Sequence, residues 1–351
     1  MCDCSPLWPA NNSLYKANSI VPIPIGVTPT VADSIEKGAE LALEFCKSVF
    51  KWDKWNCPRS FFLRLPKQQP NRETAFSKAI LSAGIVHRIT RDCSKGDITE
   101  CGCDPDIGPP SVLTSSSLKL HTSSLLYNST QKVEEHRSGW TWGGCSDDPR
   151  YALEVSKKFL SNLEKGNDAA AYVGRHNNNV GAQVIRDSMV KKCRCHGVSG
   201  SCSVQTCWMQ VASFGEVTKR LREKYKRAER LSYETVEVSI TLGNSARELA
   251  KEKVIPIKRN SLVYLVQSPD YCVANKTEDF PGTRGRKCSR NASKLASPAE
   301  KKSCRTLCRG CGYKVKKIKK KETQTCNCNF VWCCEVKCET CVVDVEEYFC
   351  Y

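Results

Sequence analysis

Cysteine is the feature that most limits how this chain can fold: 24 of its 351 residues are Cys, and twelve of them fall in the last 84. Cytosolic thiols are kept reduced, so a chain this rich in Cys either travels the secretory route and pairs them or uses them to hold metal. The number is even, which favours pairing. Zinc sites commonly recruit His beside Cys, and the chain has only five His, none arranged as H-x3-5-H. From Ser268 onward the apolar residues are too few for a self-sufficient core, so covalent staples must replace it.

Lys and Arg outnumber Asp and Glu by 54 to 37, a formal net charge of +17. Such a balance suits polyanion partners, and outside the cell those are sulfated glycans rather than nucleic acid. Four Asn-x-Ser/Thr sequons, at Asn11, Asn128, Asn275 and Asn291, fit secretion and N-glycosylation. No run approaches the ~18 apolar residues of a membrane span. An export signal is not legible either. Met1-Cys2-Asp3-Cys4 lacks a basic start, and the apolar run from Ile20 to Val27 is broken by Pro22 and Pro24. A secreted chain with this start implies a trimmed or mis-called N-terminus.

Helical periodicity organises the first two thirds. Residues 1–33 read as irregular. Leu41, Phe45 and Val49 recur every four residues; Phe76, Ile80 and Ala83 mark a helix over about 72–89; Tyr151, Val155, Phe159 and Leu163 mark one over 149–163. Val173, Val180 and Val184 predict a helix over 168–192, and Phe214, Val217, Leu221 and Tyr225 a last one. These stripes are core faces. The Ser-rich stretch Asp104–Ser138 reads as a surface insertion. The expected class is α+β: a helical N-terminal domain over 34–230, a linker region over 231–267 that mixes strand-like and polar stretches, and a small β-rich, disulfide-dense domain over 268–351.

Two cysteine clusters carry the most information. If Cys193, Cys195, Cys202 and Cys207 pair as nested rungs of an antiparallel hairpin, their index sums are 400 and 397, and the apex falls near 198–200. Gly197 and Gly200 permit a tight tip there. Ser199 then either presents its hydroxyl outward or simply fills a turn. A catalytic role for it lacks support: His196 is near in sequence, but there is no nucleophile-elbow motif. In the second cluster Cys326 with Cys341 and Cys328 with Cys338 sum to 667 and 666, which places Cys333 and Cys334 at the apex beside Phe330-Val331-Trp332. An apolar tip either binds a partner or folds back onto the core. A bond between neighbouring cysteines is disfavoured, since consecutive Cα atoms lie ~3.8 Å apart.

Cys-Arg-Cys-His-Gly-Val-Ser-Gly-Ser-Cys at 193–202 and Cys-Asn-Cys-Asn-Phe-Val-Trp-Cys-Cys at 326–334 resemble the Wnt family of secreted, lipid-modified growth factors. So do Trp52-Asp53-Lys54-Trp55-Asn56-Cys57-Pro58, Arg72-Glu73-Thr74-Ala75-Phe76 and Trp142-Gly143-Gly144-Cys145-Ser146-Asp147-Asp148. The resemblance covers about 33–351, and Ser268-Pro269-Asp270-Tyr271-Cys272 with Cys308-x-x-Cys311 looks most like the Wnt-8 subclass. Departures are the missing signal peptide, the extra Cys2 and Cys4, and the long insertion before Cys145.

The resemblance implies a signalling ligand with no catalytic residues, no metal and no cofactor beyond a covalent monounsaturated acyl chain on Ser199, added by the acyltransferase Porcupine. Hairpin 193–207 would be the thumb, and Val198, Ser199 and Gly200 would meet the cysteine-rich domain of a Frizzled receptor. Phe330, Val331, Trp332, Cys333, Cys334 and Val336 would form the index-finger tip on the same domain. An LDL-receptor-related co-receptor, a secretory carrier and heparan sulfate proteoglycans are the further implied partners, in the extracellular space and matrix.

The resemblance also implies a set of disulfides. In the helical domain these are Cys46–Cys57, Cys93–Cys101, Cys103–Cys145, Cys193–Cys207 and Cys195–Cys202. In the C-terminal domain they are Cys272–Cys311, Cys288–Cys304, Cys308–Cys350, Cys326–Cys341, Cys328–Cys338 and Cys333–Cys334. Lys314, Lys316, Lys317, Lys319, Lys320 and Lys321 are either a solvated strand face or a glycan-binding one. Two rivals remain: a basic zinc-braced nucleic-acid-binding protein, suggested by Cys-x-x-Cys at 308–311 and 338–341, and a secreted cysteine-rich matrix or inhibitor module without lipid.

Overall fold

The computed structural model describes residues 13–14, 20–24, 27–106, 140–164, 166, 168–231, 233–242, 245–254, 258–275, 280–291, 293–332 and 334–351. Asn11, Asn128, Cys2, Cys4 and the insertion from 107 to 139 lie outside them.

Among the described residues, six α-helices build the N-terminal part: α1 (Pro29–Val49), α2 (Arg59–Leu63), α3 (Arg72–Lys95), α4 (Arg150–Leu163), α5 (Ala169–Arg186) and α6 (Phe214–Lys226). Helix α3 is the axle. Phe76, Ala79, Ile80, Ala83, Ile85, Val86 and Ile89 along it are fully buried, and α1, α4, α5 and α6 pack around it. Its ends are set locally: the Asn71 side chain accepts from the Thr74 N–H at 2.9 Å, and Gly96 closes the last turn in the left-handed conformation. Helices α1 and α3 cross through Gly38 and Gly84; a Cβ on Gly84 would lie 2.4 Å from the Gly38 carbonyl oxygen, so only glycine permits this approach.

Three disulfides of the helical part brace the ends of these elements. Cys46, buried near the end of α1, is bonded to Cys57 in the connection to α2. Cys93, in the last turn of α3, is bonded to Cys101 just beyond that helix. Cys103 is bonded to Cys145 across the long insertion, so the two ends of that insertion are held together. All three pairings are those the family resemblance implies.

The helical stripes lie on or against the core, except that Leu41, Phe45 and Val49 of α1 are only half-buried and flank its buried face of Ile35, Ala39, Ala42 and Cys46; the extents also differ. Helix α1 starts at Pro29, inside the stretch read as irregular, because a proline suits the first helical turn. The short strands β1 (Ser13–Leu14) and β2 (Ile23–Pro24) also pair within that stretch. Helix α5 ends at Arg186 instead of running to Lys192. The Asp187 N–H and the Ser188 hydroxyl fold back onto the last turn, and from Met189 the backbone joins a sheet. That sheet has the order β3 (Trp140–Trp142), β5 (Gln205–Val211), β4 (Met189–Cys195), with β3 parallel and β4 antiparallel to β5.

Between the two halves, β6 (Glu229–Arg230) pairs with β9 (Val263–Tyr264), and β7 (Tyr233–Leu242) with β8 (Ser245–Val254) forms a hairpin within the 231–267 stretch. The C-terminal part holds β10 (Lys287–Cys288), the helix α7 (Pro298–Ser303) continued by irregular helical turns to Cys311, and a long hairpin of β11 (Val315–Val331) and β12 (Glu335–Cys350). Its own buried cluster consists of Cys288, Cys304, Cys308, Cys350 and Leu307, four half-cystines and one leucine. Staples replace an apolar core here in a literal sense.

The two halves are tied by buried polar contacts. The Glu73 carboxylate, 4% exposed, accepts from the hydroxyls of Tyr225 (2.8 Å), Ser268 (2.5 Å) and Tyr271 (3.1 Å). The Arg286 guanidinium donates to the backbone carbonyls of Lys51, Asp53 and Lys54.

Candidate functional site

Hairpin β4–β5 grows out of the core. Cys207 and Val211 on β5 are buried, and Asp147, 1% exposed, fixes the root. Its carboxylate accepts from the Val211 N–H at 2.8 Å, from Ser94 Oγ at 2.5 Å and from Arg91 Nη1 at 3.1 Å, while its own N–H donates to the Met209 carbonyl. The hairpin is thereby bolted to α3.

Outward from this root the ladder pairs Cys193 with Cys207 and Cys195 with Gln205, a constant index sum of 400, and then stops. Cys202 lies beyond the ladder, so the Cys195–Cys202 bond staples the loop rather than forming an inner rung. Within the loop, the N–H of His196 donates to Val204, that of Gly197 to Ser201 and that of Gly200 to Gly197. Gly197 is required: a Cβ there would sit 2.0 Å from Ser201 Oγ. Ser199 stands at the apex with φ 56° and ψ 28°, a left-handed conformation uncommon outside glycine. It is exposed, and its hydroxyl has no hydrogen-bond partner among the described residues; neighbouring Val198 is 90% exposed. Among the described residues no hydrogen bond joins His196 to Ser199.

The second tip stands on a ribbon with almost no buried side chains. Strands β11 and β12 pair with index sum 665 as far as Cys326↔Glu339 and with sum 666 from Asn329↔Lys337 onward. The shift is a bulge at Asn327 (φ 46°), whose side-chain N–H donates to the Glu339 carboxylate at 2.9 Å. Disulfides Cys326–Cys341 and Cys328–Cys338 clamp the ribbon on either side of it. At the end, Trp332 is 91% exposed, Phe330 70% and Val336 60%, so the tip does not fold back. Cys334 is exposed at φ 80° and has no disulfide partner among the described residues. Cys333, its expected partner, lies outside them.

Ten disulfides are formed among the described residues: these two, the thumb pair Cys193–Cys207 and Cys195–Cys202, and six more. The six are Cys46–Cys57, Cys93–Cys101, Cys103–Cys145, Cys272–Cys311, Cys288–Cys304 and Cys308–Cys350. Each Cys-x-x-Cys pair divides between two different partners: Cys308 joins Cys350 and Cys311 joins Cys272, while Cys338 joins Cys328 and Cys341 joins Cys326. Those thiols are consumed, which removes the ligand set of the zinc rival.

The sequons at Asn275 (half-buried) and Asn291 (exposed) are on the C-terminal part. The β11 lysines are exposed but not free of acids. Lys317 pairs with Glu346 at 2.6 Å and Lys320 with Glu322 at 3.3 Å, and the register sets Lys319 opposite Glu346 and Lys321 opposite Asp344. Lys316 lies over the Tyr351 ring. Sequence reasoning does not single out the two anchoring carboxylates, Asp147 and Glu73, although both sit inside motifs that carry the family resemblance.

The Wnt family model matches residues 25–351. Protein Wnt-8b of Danio rerio is 41% identical over 348 residues, 98% of this chain and 87% of that protein. Protein Wnt-8a of Homo sapiens is 39% identical over 327 residues, 92% of this chain and 85% of that protein. Among solved structures, that of human WLS in complex with WNT8A matches with a TM-score of 0.62 at 35% identity, covering 93% of this chain and 95% of the matched one. A helical body bearing one stapled hairpin and a cysteine-built region bearing another thus define a class of signalling ligands rather than enzymes, and the chain belongs to the Wnt family. Its relatives within that family are Wnt-8 proteins. Members of the family are secreted ligands; among the described residues no helix is long and apolar enough to cross a membrane.

Proposed function

We propose that this ligand binds the cysteine-rich domain of a Frizzled receptor with both hairpin tips, through an acyl chain carried on Ser199 and through the apolar surface of Phe330, Val331, Trp332 and Val336. The observation that carries the proposal is the state of Ser199: an exposed hydroxyl, unpartnered among the described residues, held in a left-handed turn at the end of a doubly stapled loop. That geometry suits modification by an enzyme such as Porcupine, because the loop neither buries the hydroxyl nor needs it for its own stability. Burial of a chain of roughly sixteen carbons, at ~0.8 kcal/mol per CH2, contributes on the order of 10 kcal/mol gross. So large a term explains how a small tip could hold a receptor, and why a lipidated ligand needs a carrier in water. WNT8A is described in complex with WLS, which supports a carrier of that kind for this chain. Engagement of an LDL-receptor-related co-receptor by the same molecule, and retention by heparan sulfate proteoglycans in the matrix, complete the reading.

The test compares wild type with Ser199→Ala, secreted from the same cells. Mass analysis of the peptide containing Ser199 should show an acyl adduct that Ser199→Ala lacks, and binding to an isolated Frizzled cysteine-rich domain should collapse while stability changes by less than ~0.5 kcal/mol. An unacylated wild-type protein with full receptor affinity would instead support the non-lipidated module.

A further inference from the structure

A basic cleft with no acidic lining residue lies outside both hairpins. We infer that a cleft beside α7 is the principal site for sulfated polysaccharide, in preference to the lysines of β11; this rests on the proposed function only in placing the protein among extracellular glycans. The cleft, about 590 Å3, is lined by Lys54, Lys302, Arg305, Thr306, Arg309 and Gly310. Four of the six are cationic and none is acidic, while the Thr306 hydroxyl donates to the Lys302 carbonyl at 3.1 Å.

Lys302, Arg305, Thr306 and Arg309 follow one another along α7 and the irregular turns that continue it, and all four line the cleft. Seven residues of helical turn span roughly 10 Å, the reach of several anionic groups on a polymer rather than of one. Lys302, Arg305 and Arg309 form no ion pair among the described residues, so their donors are unclaimed. The single acid between 298 and 311, Glu300, is occupied by Ser289 Oγ at 3.1 Å. Lys54 reaches the rim from the helical part, with Nζ 3.5 Å from the Gly310 carbonyl.

The backbone beneath the stripe is locked. Cys304, Cys308 and Cys311 are bonded to Cys288, Cys350 and Cys272, and Leu307 is fully buried between them. Binding therefore orders side chains only, which limits its entropic cost. On β11 the opposite holds: Glu346, Glu322 and Asp344 stand beside or opposite the lysines, and a polyanion there would approach carboxylates as well as ammonium groups.

The experiment uses full-length secreted protein and heparin as the probe, with affinity measured across a salt series. Lys302→Ala/Arg305→Ala/Arg309→Ala should weaken binding about tenfold or more at physiological salt and flatten its salt dependence. Lys316→Ala/Lys319→Ala/Lys321→Ala removes the same charge and should cost less than about threefold. Arg305→Lys/Arg309→Lys should retain most of the affinity. Equal weakening by the two triple variants would reduce the effect to net charge and overturn the assignment, as would unchanged binding of desulfated heparin or equal competition by phosphatidylserine vesicles. Should the cleft triple variant fail to be secreted, Arg305→Glu alone is to show the same loss. Binding of the cleft variant to the Frizzled domain should stay at the wild-type level, whereas Ser199→Ala should keep its heparin affinity, so the two readings fail separately.

Discussion

The two hairpins reach a similar end by opposite means. The thumb uses strands of seven residues, roots them in the helical core and places two disulfides in its outer part. The finger uses strands of 17 and 16 residues that are exposed along nearly their whole length, anchored at the base by the Cys308–Cys350 bond and β10. An isolated two-stranded ribbon is marginal in water, so the finger owes its shape to covalent clamps, whereas the thumb owes its position to packing and a buried carboxylate. The difference teaches that disulfides do two separate jobs here: they fix a loop conformation in one hairpin and substitute for a core in the other.

The sharpest way to break that comparison is at the thumb's root. Asp147→Ala strands the buried Val211 N–H and unpairs Arg91, and should cost about 3 kcal/mol in chemical denaturation, with loss of the helical domain's cooperativity. If the loss stays within the thumb and leaves the helical domain's cooperativity intact, the thumb is not core-rooted. Removing the inner finger clamp by Cys328→Ala with Cys338→Ala should cost about 2–3 kcal/mol, confined to the ribbon. Amide exchange should rise across 326–341 while α3 stays protected; a global drop would tie the finger to the core after all. Trp332→Ala should leave folding and acylation intact and weaken receptor-domain binding by about 1–3 kcal/mol, read by titration; no change would remove the indole as an anchor.

The smallest effect concerns pH. His87, beneath the thumb sheet, hydrogen-bonds the Ala212 carbonyl at 3.1 Å and lies against Phe214. Burial pushes its pKa below the usual 6.5; the Ala212 carbonyl and Asp147 oppose the shift, and Arg91 and Arg88 reinforce it. A depressed folded-state pKa means the stabilising contribution is complete above 6.5 and is lost as pH falls through the folded value. Denaturation midpoints should therefore decline below pH 6.5 more steeply in wild type than in His87→Gln. Parallel profiles would show that another group carries the acid sensitivity.

Much of this is legible in the chain. Helical periodicity locates the core faces because side-chain burial repeats with the helix, and cysteine index sums locate both apices because antiparallel pairing conserves them. What escapes is set by distant partners. The end of α5 is decided by β5, a strand further along the chain, which captures Met189–Cys195 into a sheet. By spacing, Cys195–Cys202 reads as a rung, but its loop is held by internal hydrogen bonds that no spacing reveals. The pairings Cys46–Cys57, Cys93–Cys101 and Cys103–Cys145 follow from the family resemblance and not from spacing, because their half-cystines lie on helix ends and loops where no ladder fixes an index sum. Asp147 and Glu73 lie in recognisable motifs, yet their roles depend on Val211, Arg91, Tyr225 and Tyr271, which only the fold brings near. Likewise, the lysine run is conspicuous in the sequence, while the stripe at 302, 305 and 309 becomes a cleft only when Lys54 arrives beside it.

The bulge at Asn327 acts as a phase shifter. Side chains alternate between faces along a strand, so one surplus residue on β11 inverts the faces of its own later positions, while β12, which carries none, keeps its alternation unbroken. Val336 therefore presents the face that it shares with Cys350 and Val315, and the surplus residue brings Phe330 onto that face opposite it. In an unshifted ladder of index sum 665, Phe330 would stand opposite Glu335, on the other face from Val336. Closing the bulge at constant length would leave the composition of the tip untouched and separate its aromatic from its valine. Register at 327, rather than chemistry at 330–336, is then the lever by which a ribbon of this kind can change what it shows to a partner.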